Sequence, residues 1–315
     1  MRHIFIYDPS HFQEQQWKID SILDKIGQYF RTQITPKFST QIPRYPRETI
    51  GIIQKQVDEE KDGETVRVYA IGGEEILFDC LNGIAELSNA DLAIMPHGSK
   101  NDFLRVFGDD KTELFNNISL IAESESVPTD IIKAGNVYAL NGCFVGLAAI
   151  NAQRTKEVKK KKTSRFYTFR LFMAFLAYLY SIFDRRIITR YYNITVDGED
   201  YSGNYYHIGV SNGPRYDGKK IAAIGAIPDD GLLEVALLKT VTPLIGLFSM
   251  KKHFRGKTPG NCVTMKAKNI TIKSEEPFWV QLDGEFVQDT SISFEVAPKA
   301  VQIVSANLSY PKPSV

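Results

Sequence analysis

Near residue 130 the chain changes its hydrophobic rhythm, and that change restricts the fold more than any other feature. Before it, strand-like and helix-like segments alternate. RHIFIYD, TVRVYAIGG and DLAIMP read as strands, while HFQEQQWKIDSILDKIGQYF, EEILFDCLNGIAEL and SKNDFLRVFG read as helices. Alternation of this kind predicts a parallel sheet with helices on its faces, a Rossmann-like α/β domain. After the change, NVYALNGCFVGLAAIN, YYNITVDG, NYYHIGVSNG, LLEVALLK, VTMKAKNITIKS, FWVQLDGEF and SISFEVAPKAVQIVSA are β-rich runs parted by turn residues. These predict an all-β domain, an antiparallel sandwich or barrel. The boundary falls at ESVPTDI, giving domains at 1–130 and 131–299. A length of 315 residues is comfortable for two cores.

Bulk composition removes several classes of function. Net charge is +1, so no global field draws the chain to nucleic acid, and no nucleic-acid partner is expected. Cys80, Cys143 and Cys262 are odd in number and contain no C-x-x-C pair, which argues against a disulfide framework or a zinc site. The apolar run in MRHIFIYDPS is too short for a signal peptide and meets Asp8. No stretch reaches the roughly 18–20 apolar residues of a membrane span. A cytoplasmic location is expected.

One segment interrupts the second domain. KKKKTSRFYTFRLFMAFLAYLYSIFDRR at 159–186 has an apolar middle between two basic flanks and predicts an inserted helix at about 166–184. It reads either as a buried helix with solvated ends or as a helix that touches an anionic bilayer transiently. The two readings are compatible.

Candidate chemistry begins at the strand–turn–helix corner Gly72–Gly73. Without a Cβ, glycine lets backbone N–H groups approach a phosphate at a helix N-terminus. Glu74 and Glu75 then fill the first helical turn, where they suit the helix dipole but compete with a bare anion. An ordinary corner and a phosphate site both remain open on this stretch. A second corner, MPHGSKNDFLR, places Gly98, Ser99, Asn101 and Asp102 at the next strand end. Ser99 and Asp102 read equally well as helix caps.

The motifs gain force from their order. GG, an acid and LNG (Leu81–Gly83) precede P-x-G-S-x-N-D-F-x-R (Pro96–Arg105). SNG (Ser211–Gly213), PDDGLLEV (Pro228–Val235) and WVQLDGE (Trp279–Glu285) follow. This series resembles the diacylglycerol kinase catalytic-domain family, which includes bacterial lipid kinases and sphingosine kinases. The resemblance covers nearly the whole chain. It implies an α/β nucleotide domain, a β-sandwich domain and return of the last strand, about 300–315, to the first domain. It further implies transfer of the ATP γ-phosphoryl to a lipid hydroxyl, such as that of diacylglycerol, with Mg2+. Gly72 and Gly73 would approach the nucleotide phosphates, Gly98 and Ser99 would contact them, and Asn101 and Asp102 would support the pocket. Glu285 would be the base, with Asp283 beside it, and Glu74 would stand for the family's loop acid. Asp230, with Asp229, would bind Mg2+. Peripheral membrane association follows from a lipid substrate, and a homodimer stays open.

The family's G-G-D-G-T reads Gly72–Gly73–Glu74–Glu75–Ile76 here. A catalytically weak or inactive relative that binds lipid or nucleotide in a regulatory role is therefore the alternative to an active kinase. An NAD kinase also carries G-G-D-G, but N-D-F-x-R is the lipid-kinase form.

Overall fold

The computed structural model describes the chain apart from residues 10–15, 34–36, 46, 61–62, 98–101, 161–171, 174–175, 177–189, 219 and 313–315. Contacts divide the chain into two units. Unit 1 comprises Met1–Ile131, Ile227–Gly231 and Ala297–Val315; unit 2 comprises Ile132–Ala226 and Leu232–Val296.

Unit 1 is α/β. Strands β1 (Arg2–Tyr7), β2 (Phe38–Gln41), β3 (Val66–Gly72) and β4 (Ala90–Pro96) form a parallel sheet in the order β2-β1-β3-β4. The end of the chain's last strand adds to β4, also parallel, with Gln302 opposite Asp91. Every residue of β3 is buried, which explains its near-continuous apolar run. Helices α1 (Gln16–Arg31), α2 (Glu48–Asp58) and α3 (Glu74–Ile84) join the strands, and α1 buries Ile19, Ile22, Ile26 and Phe30 at helical spacing. A shorter helix, α4 (Ile118–Glu123), closes the domain. Its last carbonyls meet a buried ion pair. Arg67 of β3 grips Asp91 of β4 with Nε and Nη2, at 2.9 and 2.8 Å, while its Nη1 donates to the carbonyls of Ile121 and Ala122.

Unit 2 is mostly antiparallel β. Strands β5 (Ser126–Ala134), β6 (Val137–Ala139), β7 (Gly142–Gly146), β8 (Tyr191–Val196), β9 (Glu199–Asp200) and β10 (Gly203–Ser211) lead in; β5 begins in unit 1. The small pair β11 (Arg215–Tyr216) and β12 (Lys220–Ile221) follows, then β13 (Leu233–Lys239), β14 (Cys262–Ala267), β15 (Asn269–Leu282) and β16 (Glu285–Val304), the last of which ends in unit 1. The sheet runs β14-β13-β10-β7-β15. Long strands serve two partners each. β15 pairs with β8 at Ile270–Lys273 and with β7 at Val280–Leu282. β10 pairs with β8 at its start and with β7 from His207 onward. A register shift at Tyr205/His207 lies at that changeover in β10, where a bulge bends a strand. The sheet thereby folds over itself as a sandwich.

Three details depart from the sequence reading. Of SKNDFLRVFG, read as a helix, the described part is not a regular α-helix: Phe103–Phe107 is a 3-10 turn, ended by Gly108 at φ 118°. LAAIN belongs to helix α5 (Leu147–Lys160), not to a β run. Gly146, at φ 84°, makes the switch; a Cβ there would stand 2.5 Å from the Tyr206 carbonyl oxygen. Residues 227–231, read as part of the second domain, group with unit 1 because the Asp130 N–H donates to Pro228 O at 2.6 Å. Most of the expected inserted helix at 166–184 lies outside the described residues. Phe172, Met173 and Leu176 are described, and they are helical and exposed.

Candidate active site

In unit 1 the Gly72–Gly73 corner joins β3 to α3. Gly72 adopts φ 148°, a conformation that L side chains rarely take, so the glycine is required by the backbone itself. Gly73 is the N-cap of α3 and offers no side chain to cap it. No N-cap side chain therefore stands at the start of α3, and a helix N-terminus is a place where an anion is favoured. Glu74 is half-buried, Glu75 is exposed and Ile76 is buried. The residue in the family's hydroxyl position is therefore spent on packing. LNG also has a packing reason: a Cβ on Gly83 would come within 2.9 Å of Ile53 Cδ1 on α2.

The second corner is only partly described. Gly98, Ser99 and Asn101 lie outside the described residues. Asp102 is buried at 4% exposure and precedes the 3-10 turn, but its side chain does not cap that turn.

The Asp229–Asp230 loop is also in unit 1. Asp130 clamps it, accepting from the N–H of Gly231 at 2.6 Å and of Lys299 at 2.8 Å. Gly231 takes φ 73°, which accounts for the Asp-Gly pair. Desolvation of its inner side, then the nearby Asp130 and Asp230 carboxylates, push the Asp229 carboxyl above its usual range. No group of three His, Cys, Asp or Glu side chains among the described residues could cage a metal. Mg2+ needs less, since it binds through one or two carboxylates together with phosphates and water. Neighbouring carboxylates with this mutual repulsion fit such an ion.

In unit 2 the D-G-E corner joins β15 to β16. Asp283 sits at φ 50°, and its carboxylate accepts three backbone N–H groups: Leu140 at 2.7 Å, Asn141 at 3.0 Å and Gly142 at 2.8 Å. Its own N–H donates to Gly142 O at 2.9 Å. Sequence reading placed Asp283 among the catalytic groups; the three amides its carboxylate accepts fix the corner that leads to Glu285. The SNG motif joins the same cluster. Asn212 Nδ2 donates to Leu140 O at 2.9 Å, and the N–H groups of Asn212 and Gly213 both donate to Asn141 O. A Cβ on Gly213 would stand 2.1 Å from Asn141 Oδ1. Three loops are thereby tied together around Asn141.

Glu285 is about three-quarters buried, and Lys156 of α5 pairs with it at 3.4 Å, Nζ to Oε1. The same Nζ donates to Gly284 O at 3.2 Å and lies 5.5 Å from the centre of the Phe286 ring. Sequence reading did not single out Lys156 or Asn141, and it quoted Asn212 only within the SNG motif. The repeated Asn-Gly pairs at 141–142 and 212–213 were the available signal; Lys156 was hidden in a basic run.

Unit 1 thus carries a glycine corner at a helix N-terminus, and unit 2 carries a carboxylate corner held by backbone amides, each by itself as the motif order implies. Comparison with known proteins agrees. Residues 6–134 match the diacylglycerol kinase catalytic domain, and residues 144–305 match the YegS C-terminal NAD kinase beta sandwich-like domain. The chain belongs to this family of YegS-like bacterial lipid kinases. It is 25% identical over 304 residues to "Putative lipid kinase SH2167" of Staphylococcus haemolyticus (strain JCSC1435), covering 93% of this chain and 94% of that protein. It is 26% identical over 245 residues to "Probable lipid kinase YegS-like" of Shewanella frigidimarina (strain NCIMB 400), covering 76% of each. Among solved structures, "a putative diacylglycerol kinase from Bacillus anthracis str. Sterne" superposes with a TM-score of 0.71 at 22% identity, covering 96% of this chain and 97% of that one. At that identity the superposition speaks for the fold alone.

Proposed function

We propose that this protein is an ATP-dependent lipid kinase that transfers the γ-phosphoryl to a lipid hydroxyl such as that of diacylglycerol. The observation that carries the reading is the D-G-E corner. Glu285 is held by a turn whose Asp283 takes three backbone amides, and Lys156 fixes its carboxylate. Phosphoryl transfer asks mainly for positioning and charge neutralisation. Glu285 accepts the proton of the attacking hydroxyl as its oxygen bonds to the γ-phosphorus and ADP leaves. Lys156 keeps the carboxylate in one rotamer. Gly72, Gly73 and the first turn of α3 bind phosphate oxygens, and the resemblance of their motif assigns Gly98, Ser99, Asn101 and Asp102 to the same task. Asp229 and Asp230 hold Mg2+, which when bound neutralises phosphate charge. Glu74 serves the phosphate loop in place of the family's acid.

No helix among the described residues is long and apolar enough to cross a membrane. We assign the protein a cytoplasmic, peripherally membrane-associated place, with segment 159–186 meeting anionic lipid. The second reading, an inactive relative that binds lipid or nucleotide, is favoured by Glu75 and Ile76 in the phosphate loop. Labelled γ-phosphate transfer to diacylglycerol in mixed micelles separates the two. Mg2+-dependent product abolished by EDTA supports the kinase; no product over a diacylglycerol series supports the second reading.

A further inference from the structure

We infer that the helix α6, Pro243–His253 in unit 2, is a docking face for an anionic bilayer, an inference that rests on the lipid-kinase reading and adds a surface to it. The helix has two sharply different sides. Gly246, Ser249, Met250 and His253 are buried. Gly246 lets the helix lie close to the sheet: a Cβ there would be 3.1 Å from the Tyr206 ring. Leu244, Ile245 and Phe248 are 61%, 53% and 67% exposed. At ~100° per residue they share an arc of about 120° with Lys251 and Lys252 of the last turn. Three large exposed apolar side chains on two turns, followed on the same side by two ammonium groups, offer a bilayer surface both an apolar contact and an attraction to its anionic headgroups.

The surroundings extend the pattern. Ile224, 65% exposed, lies against the turn that ends α6, where its Cδ1 is 3.6 Å from the position of a Gly256 Cβ. Arg255 and Lys257 are exposed just beyond the helix. From Val235 to Ser274 the chain carries eight Lys or Arg and no Asp or Glu. Asp217, a nearby acid, is paired with Lys220, whose Nζ lies 5.9 Å from the centre of the Phe254 ring. This charge bias on an otherwise near-neutral chain selects the occupant. A neutral protein surface would gain little from the basic rim. Anionic headgroups meet it directly, while the acyl region takes Leu244, Ile245 and Phe248.

The test is co-sedimentation of the full chain with vesicles of equimolar phosphatidylglycerol and phosphatidylcholine, against phosphatidylcholine alone, with no diacylglycerol or ATP present. Two double variants are compared: Ile245→Ser with Phe248→Ser, and Lys251→Glu with Lys252→Glu. All four positions are exposed, so circular dichroism should stay native. The account expects binding to the anionic vesicles only, and partitioning reduced about tenfold or more in each variant. Both variants should still phosphorylate a short-chain, water-soluble diacylglycerol, which needs no docking. Unchanged partitioning in the variants, or equal partitioning to neutral vesicles, overturns the inference. So does a dimer in sedimentation velocity that dissolves in the Phe248 variant while vesicle binding persists, because the face would then be a self-association surface. Vesicle binding by a chain that phosphorylates nothing would count against the kinase reading and leave the docking face standing.

Discussion

Asp283→Asn gives the sharpest test of how the candidate base is held. In the native turn, Asp283 Oδ1 accepts from Asn141 and Gly142, and Oδ2 accepts from Leu140 at 2.7 Å. Asparagine tolerates the left-handed φ of 50°, so the backbone conformation itself carries little penalty. The amide oxygen keeps the two Oδ1 contacts. The amide nitrogen cannot accept from Leu140, so one charge-assisted bond worth about 1.5–3 kcal/mol is lost. The remaining two bonds weaken as their acceptor loses its charge. The expected cost is about 2–3 kcal/mol, and at about 2–4 °C per kcal/mol for a domain of 150–250 residues the Tm should fall by about 4–12 °C. The functional effect should exceed the structural one. Glu285 lies two residues on, so kcat should drop at temperatures where the variant is fully folded, while Mg2+-ATP still raises its Tm as in the native chain. Scanning calorimetry with and without nucleotide, paired with phosphoryl transfer, reads both. An unchanged Tm would refute the clamp. A loss of nucleotide binding equal to the loss of kcat would refute its specificity for the corner.

Further predictions concern the other supports of the site. Gly213→Ala places a methyl where Asn141 Oδ1 stands, 2.1 Å away, and should cost about 1–3 kcal/mol by forcing the two loops apart; denaturant midpoints check this. Glu75→Gly removes an exposed carboxylate from the first turn of α3 and should tighten Mg2+-ATP binding, read as a larger nucleotide-induced Tm shift; no change would mean Glu75 points away from the phosphates. His207 is fully buried, and among the described residues neither ring nitrogen has a hydrogen-bond partner. Burial, and next the charge of His253, push its pKa down to about 3. Below pH 6.5 the unfolded chain takes up a proton that the native ring refuses, so stability falls by about 1.4 kcal/mol per pH unit, or about 2 kcal/mol by pH 5. His207→Leu should remove that part of the slope between pH 6.5 and 5 in urea unfolding, and an unaltered slope would contradict it.

Much of this architecture is legible because period and turn chemistry agree. The apolar run of Val66–Gly72 gave a buried parallel strand, the helical spacing of Ile19, Ile22, Ile26 and Phe30 gave α1, and the runs after residue 131 gave the sandwich. Short elements were hidden. Strand β2 has only four residues, none of them buried, and so carries no core signal. Helix α2 begins at Arg47 in a left-handed conformation, a start that the usual capping pattern does not reveal. Of the site, the glycines could be read because their backbone demands are local, as at Gly72 and Gly231. The role of Asp283 could not, because its three partners lie about 140 residues away in sequence. Lys156 escaped for the same reason: only the folded chain singles it out from its basic neighbours.

The central claim is that Glu285 removes the hydroxyl proton in a phosphoryl transfer driven by ATP. The most direct measurement is label transfer from γ-labelled ATP to diacylglycerol by the native chain and by Glu285→Gln, alongside the Mg2+-ATP-induced Tm shift of each. The account predicts product from the native chain, a loss of about 100-fold or more in the variant, and equal nucleotide shifts in both. Turnover retained by Glu285→Gln with the same nucleotide shift would contradict it.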